Sequence, residues 1–264
     1  MSLERLVITK SKDGTEILQF KRLLEYHNVK HGYTLRTNNI SVKSEDIVPN
    51  PLFESYKKVA RVLEFDYKNI VKPHQTHTDR VEVVNTADES FEEVDGVITN
   101  KRGILLCTTS ADCTSLLFYD DNKRVVADVH SGWRGTLKQI GKKTVEKMIK
   151  EYNCNPSDII CCISPYIRKC HFEVERGVME LFKEEFGCLN EVEEIIEIGR
   201  KIEGVQKYNI DTGLINRLML REAGLKEKNI IDCGICTVCC SDMFHSYRVD
   251  KENSGRNGAF IGLI

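Results

Sequence analysis

Gly103-Ile-Leu-Leu-Cys-Thr-Thr-Ser-Ala-Asp-Cys-Thr-Ser-Leu-Leu-Phe-Tyr-Asp-Asp-Asn-Lys-Arg-Val-Val-Ala-Asp-Val-His-Ser-Gly-Trp-Arg-Gly135 is the stretch around which the chain is organised. It holds three apolar runs, Ile104 to Thr109, Ser115 to Tyr119 and Val125 to Val129, each separated from the next by a polar turn. Each run is too short for a stable isolated helix, so the three read as buried strands. Asp112 and Cys113 fall at a strand entrance, and His130 falls where the third strand ends, just before Gly132-Trp133-Arg134-Gly135. Ionisable and soft-ligand side chains at the mouths of apolar strands are the pattern of an active site on a mixed sheet.

Composition sets the limits. The 264 residues are 41% hydrophobic and 30% charged, as in a soluble globular protein. A formal charge of −2 and the lack of a basic cluster leave nothing to track a phosphodiester backbone, so nucleic acid is not an expected partner. Met1 to Gly14 has neither the basic n-region nor the apolar h-region of a signal peptide, and no apolar run approaches a membrane span. A cytoplasmic location is the expectation, and the sequence leaves a homo-oligomer open. In that compartment the eleven cysteines are reduced, hence core residues, metal ligands or a nucleophile. Cys107, Cys161 and Cys162 lie inside apolar runs and read as packed core.

Outward from the central stretch, Leu6 to Ile8 and Glu16 to Phe20 flank the turn Ser11-Lys12-Asp13-Gly14, which predicts a β-hairpin at a sheet edge. His31 to Arg36 predicts a further strand whose tip, Arg36 with Asn38 and Asn39, runs into a loop. Asn50-Pro51 starts a helix carrying Phe53, Tyr56, Val59, Ala60 and Leu63 on one face. Asn69 to Asn85 reads as two strands around a polar crossing that contains His74, Gln75, His77 and Asp79, and the acidic run Asp88 to Asp95 ends in a turn into Val97 to Thr99. Thr136 to Tyr152 predicts one amphipathic helix, whose N-terminus after Gly132-Trp133-Arg134-Gly135 offers amide donors and Arg134 to an anion such as phosphate. Pro156 to Ser164 predicts a turn and a strand, Glu173 to Phe186 and Asp211 to Ala223 predict helices, and Ile230 to Asp232 and Gly258 to Leu263 predict late strands. No Pro-, Gly- or Ser-rich boundary and no internal repeat divides the chain, so residues 1–264 read as one domain.

Near the C-terminus, Cys233-Gly-Ile-Cys236-Thr-Val-Cys239-Cys240 contains two C-x-x-C steps that share Cys236, a spacing that can supply thiolates to a structural metal. No second knuckle of matching spacing occurs elsewhere, and packing against the core is the alternative reading of these cysteines.

The motifs Gln75-Thr76-His77, Asp95-Gly96, Ala111-Asp112-Cys113 and His130-Ser131-Gly132-Trp133-Arg134-Gly135 occur in this order. They are followed by Cys236-Thr237, Phe244-His245-Ser246-Tyr247-Arg248 and Gly255-Arg256. Together they resemble the laccase-domain, or YfiH-type, purine nucleoside phosphorylase family over almost the whole chain. That family was first described as polyphenol oxidases and later as zinc-dependent nucleoside phosphorylases with adenosine deaminase activity, and some bacterial members have been given a peptidoglycan-editing role. The resemblance implies a mixed α/β fold, two mixed sheets packed between helices in α/β/β/α layers, and a metal held by His77, Cys113 and His130. Ser164-Pro165 stands where the family commonly has Gly-Pro, and Thr78 follows the Q-x-H motif where a smaller residue is usual.

Two imidazoles and a thiolate suit Zn²⁺ and leave a fourth position open, the catalytic pattern; copper is less favoured, because no several-histidine cluster for dioxygen chemistry is present. Such a zinc would acidify water for attack at C6 of adenosine, or orient phosphate for attack at the ribose C1′. Arg36 and Arg134 are the expected phosphate and substrate holders, and Asp128, two residues before His130, is the expected acceptor for that histidine. The alternatives are an amidohydrolase acting on a cell-wall precursor with Cys113 as nucleophile and His130 as base, a copper-dependent polyphenol oxidase, and a metal-dependent binding protein.

Overall fold

The computed structural model describes residues 4–36 and 52–264. Asn38, Asn39, the helix start at Asn50-Pro51 and the side chain of Phe53 lie outside the described residues. The strands are β1 (Leu6–Lys10), β2 (Glu16–Phe20), β3 (Val29–Thr34), β4 (Ile70–Val71), β5 (Val81–Val83), β6 (Gly96–Thr99), β7 (Leu105–Ser110), β8 (Thr114–Asp120), β9 (Val125–Ser131), β10 (Ile160–Ile163), β11 (Glu173–Val174), β12 (Ile196–Ile202), β13 (Val205–Ile210), β14 (Ile230–Asp232) and β15 (Asn257–Leu263). The helices are α1 (Lys21–Leu24), α2 (Leu52–Leu63), α3 (Trp133–Leu137), α4 (Ile140–Tyr152), α5 (Arg176–Phe186), α6 (Val192–Ile195), α7 (Thr212–Glu222) and α8 (Tyr247–Asp250).

The strands form two six-stranded mixed sheets, ordered β1-β2-β3-β15-β7-β4 and β14-β10-β8-β9-β6-β5. Their facing sides interdigitate through Leu18, Phe20, Tyr33, Leu106, Ala259 and Ile261 of the first sheet and Val97, Leu117, Tyr119, Val126 and Cys162 of the second. The outer face of the first sheet packs Ile17, Leu105 and Phe260 on Val59, Ala60 and Leu63 of α2, which are the stripe expected of that helix. The outer face of the second sheet packs Leu116, Phe118, Ala127 and Val129 on α4 and α7 through Ile140, Val145, Met148 and Leu220. The layers are therefore α/β/β/α, as the resemblance implied. The opening hairpin sits at the edge of the first sheet, and the three central runs become β7, β8 and β9, each buried along its length.

Three sequence expectations need correction. Thr136 to Tyr152 is not one helix: the chain takes a left-handed conformation at Gln139 (φ 59°), which separates the five-residue α3 from α4. The helix expected from Glu173 starts at Arg176, because Glu173 and Val174 form β11. β11 pairs with β13 in a three-stranded sheet with β12, an element the sequence reading lacked. The exposed β12, with burial confined to scattered positions, lacks the alternation that marks a half-buried strand.

Strand direction decides where the chemistry collects. β4 runs parallel to β7, and each leads out of the first sheet into the second, through residues 72–80 and 111–113 respectively. Thr114 at the start of β8 pairs with Ser131 at the end of β9, and Gly96 at the start of β6 pairs with Val129. Ile163 at the end of β10 pairs with Leu116 and with Asp232 at the end of β14, while Asn257 at the start of β15 pairs with Ser110. The Q-x-H crossing, the A-D-C turn, His130 and the segments containing Cys170, Cys236 and Arg256 therefore all emerge at one end of the two sheets.

Candidate active site and metal centre

At that end His77, Cys113 and His130 present one ligand atom each, all within 4.8 Å of one another. Cys113 Sγ lies 3.9 Å from His77 Nε2, and the two imidazoles meet edge to face with centroids 4.9 Å apart. The backbone is built around this convergence. His77 and Asp112 hold left-handed conformations (φ 63° and 83°) that non-glycine residues rarely adopt. Gln75 clamps the crossing to β7 as a strand would, its Nε2 donating to Thr109 O (2.9 Å) and its Oε1 accepting from Thr109 N (2.8 Å). Asp112 accepts from Thr237 Oγ1 (2.6 Å) and from Arg248 N (2.7 Å), so the carboxylate of A-D-C ties the turn to the C-terminal segments.

Gly132 leaves the room. A Cβ there would sit 2.8 Å from His77 Cδ2, 3.2 Å from His130 Cε1 and 3.3 Å from Cys113 Sγ. The three donors thus converge beside a residue that must be side-chain-free, and two imidazoles with one thiolate are a borderline-soft set that fits Zn²⁺ with an open fourth position. The donors fit a metal of this type.

The acceptor that orients His130 is Asp95 and not Asp128. Asp95, fully buried, accepts from His130 Nδ1 at 2.7 Å, and its own carbonyl accepts from His130 N at 2.7 Å. The same carboxylate gathers the Q-x-H backbone: Oδ1 accepts from His77 N (3.1 Å), and Oδ2 from Thr76 N (3.2 Å), Thr78 N (2.6 Å) and Thr78 Oγ1 (2.7 Å). Thr78 contributes a hydroxyl donor to this hub. Burial alone would raise the Asp95 pKa, but the His130 and Thr78 donors outweigh it and hold it down to about 2. Because Asp95 is ionised, Nδ1 of His130 carries the proton and Nε2 is left to face Cys113 and His77. Asp128 instead turns to β7, where Thr108 N (3.0 Å) and Thr108 Oγ1 (2.6 Å) meet it, and its burial raises its pKa to about 8. Sequence spacing put Asp128 on the right face, but His130 finds its carboxylate in the turn that leads into the neighbouring strand β6.

Without metal the trio is strongly coupled. Burial would raise the Cys113 thiol, yet His130 and His77 pull it down to about 6, and burial would lower His130, yet Cys113 and Asp95 raise it to about 9.

A cavity of about 440 Å³ opens over the trio, within the range of small-molecule sites. Its walls include Trp133, Phe172 and Tyr247, and the cations Lys72, Arg248 and Arg256. The structure does not bring Arg36 or Arg134 to this cavity. Arg36 is bound by both Nη atoms to Asp250 (2.8 and 3.1 Å), and exposed Arg134 lies over the Trp133 ring, 4.2 Å from its centroid. His74 is exposed and paired with Glu92 at 2.7 Å, away from the trio. Asp95, Arg248 and Arg256 carried a signal in the sequence only as parts of the motif series, since none stands in a ligand-like spacing of its own.

The family model for the multi-copper polyphenol oxidoreductase laccase family matches residues 28–264. The chain is 30% identical over 230 residues to purine nucleoside phosphorylase YlmD of Bacillus subtilis, covering 84% of this chain and 78% of the relative. It is 30% identical over 273 residues to adenosine deaminase RL5 of an unknown prokaryotic organism, covering 100% and 98%. Among solved structures, the Bacillus licheniformis hypothetical protein YfiH superposes with a TM-score of 0.83 at 26% identity, covering 96% and 98%.

Proposed function

The chain belongs to the family described as multi-copper polyphenol oxidoreductase laccase, and we propose that it is a zinc-dependent purine nucleoside phosphorylase. It would convert inosine or adenosine and phosphate to the base and ribose 1-phosphate, with adenosine deamination as a side activity. The observation that carries this reading is one cavity that joins a zinc-type donor set to three cations and three aromatic side chains. His77, Cys113 and His130 would hold the metal, which supplies Lewis acidity when bound.

The chain's own residues account for the rest. Arg248, with guanidinium nitrogens donating to His171 O (2.9 Å) and Glu173 O (3.3 Å), is held in a fixed orientation at the cavity wall. With Arg256 and Lys72 it gives the cavity the positive potential that draws in a phosphate dianion. Trp133, Phe172 and Tyr247 offer apolar faces to a purine. In phosphorolysis a phosphate oxygen bonds to C1′ as the bond from C1′ to the purine nitrogen breaks, and the departing purine takes up a proton. Asp95 keeps the His130 tautomer fixed throughout. Ribose 1-phosphate formed from inosine only when phosphate is present is the expected result; free ribose released at an equal rate without phosphate overturns it.

One observation favours a second reading. Cys113, His130 and Asp95 also stand in the order nucleophile, base and carboxylate, with the thiol shifted towards thiolate. An amidohydrolase using that triad would form an acyl adduct on Cys113 after chelation, whereas the phosphorylase loses activity with its metal. Polyphenol oxidation has less support, because the described residues gather only one further metal-type cluster and it lacks the several histidines of a multicopper centre.

A further inference from the structure

We infer that Cys170, His171, Cys236 and Cys239 form a second metal site, a closed tetrahedral zinc centre that pins two loops together behind the wall of the cavity. Their ligand atoms all lie within 4.8 Å of one another. His171 Nδ1 is 3.2 Å from Cys170 Sγ, 3.7 Å from Cys236 Sγ and 3.5 Å from Cys239 Sγ, and Cys170 Sγ is 3.8 Å from Cys239 Sγ. A tetrahedron with bonds of about 2.3 Å to sulfur and 2.0–2.1 Å to nitrogen has edges of about 3.8 Å between sulfurs and about 3.6 Å from sulfur to nitrogen. The observed separations match that polyhedron and not a disulfide, whose sulfurs are bonded at about 2.05 Å.

The loops are aligned independently of these side chains. Tyr166 and Cys236 form a parallel bridge, and Thr237 N donates to Tyr166 O at 3.0 Å. The turn from Cys236 is closed by Cys240 N donating to Cys236 O at 3.0 Å. Packing does not explain the group, because Cys170 and Cys239 are exposed while buried Cys233 and half-buried Cys240 are the residues that join the core between the sheets. Three thiolates and an imidazole with no open position make the structural pattern, in contrast to the three-donor set of the active site. The centre bears on the cavity through two bonds: His171 O holds Arg248 Nη1, and Thr237, between the cysteine ligands, holds Asp112.

The test uses the chain of residues 1–264 purified under reducing conditions and loaded with Zn²⁺, with metal counted by native mass spectrometry. The wild type should carry about two zinc ions per chain, with Cys113→Ser and Cys239→Ser each losing one and the double variant losing both. Cobalt titrated into metal-stripped Cys113→Ser should give the visible bands of a tetrahedral site and thiolate-to-metal absorption. His171→Cys should retain the ion with a stronger thiolate band, and His171→Ala should weaken it at least tenfold. A folded Cys113→Ser protein that takes up neither Zn²⁺ nor Co²⁺ overturns the inference. So do iron in place of zinc, an unchanged count in Cys239→Ser, and a metal-free Cys170 to Cys239 disulfide in reduced preparations. Because the readout is metal count and spectrum, failure of phosphorolysis leaves the outcome unaffected.

Discussion

Asp95→Asn is the substitution that most directly examines how the active-site donors are held. It is nearly isosteric, and it exchanges one acceptor oxygen for a donor in a carboxylate that accepts five hydrogen bonds. If the amide nitrogen takes the Oδ1 position it faces His130 Nδ1 and His77 N; in the Oδ2 position it faces Thr76 N, Thr78 N and Thr78 Oγ1. In the first orientation the His77 bond is lost and His130 keeps a partner only by changing tautomer, and in the second at least two bonds are lost; at about 1.5–3 kcal/mol each, the fold should lose roughly 1.5–6 kcal/mol. For a chain of this size that lowers Tm by at least about 3 °C. His130 can recover by moving its proton to Nε2, which removes a metal donor, so affinity for zinc at His77, Cys113 and His130 should fall about 10–100-fold. Chelator competition in a Cys239→Ser background isolates this centre, and thermal denaturation reads the fold. Asp128→Asn is the control, since Asp128 serves Thr108 and should leave metal affinity unchanged. An Asp95→Asn protein with wild-type Tm and wild-type zinc affinity would mean that the Asp95 carboxylate does not hold the donors.

Cys113→Ala should abolish metal retention at the active site, and in the unsubstituted protein Cys113 should resist alkylation until the metal is stripped, then react rapidly near pH 7 because its pKa falls to about 6; rapid alkylation of the zinc-loaded protein contradicts this. Asp128 keeps its proton up to about pH 8 in the fold, whereas the unfolded chain releases it near 3.8. Its contribution is therefore fully present below about pH 4 and falls as pH rises to 8, by about 1.4 kcal/mol per pH unit. Asp128→Asn should remove that slope in denaturant titrations and stabilise the protein at pH 9; an unchanged slope rules it out. Arg248→Lys should raise the phosphate requirement several-fold without changing zinc content, while Arg134→Lys should leave it unchanged, as kinetics at varied phosphate would show. Gly132→Ala places a methyl group 2.8 Å from His77 Cδ2 and should weaken active-site zinc binding with about 1–3 kcal/mol of overpacking strain; wild-type affinity would mean the donors do not need that space.

The buried strands, the stripe of α2, and the motif series that carries His77, Cys113 and His130 are legible in the residues alone. Those features are local: strand and helix periodicity show up over a few residues, and the motif residues sit at fixed offsets. Tertiary structure decided which groups those residues meet. Asp95 and not Asp128 reaches His130, because β6 lies beside β9 in the second sheet and brings a carboxylate from a distant turn. Arg248 and Arg256 line the cavity because β15 starts beside the end of β7, while Arg36 is engaged by Asp250 and Arg134 lies over the ring of Trp133. The Cys170-His171 pair had no partner knuckle in sequence. It gained Cys236 and Cys239 only because β10 and β14 run parallel and end together, and strand order of that kind is fixed by packing between the sheets, which no local pattern of residues encodes.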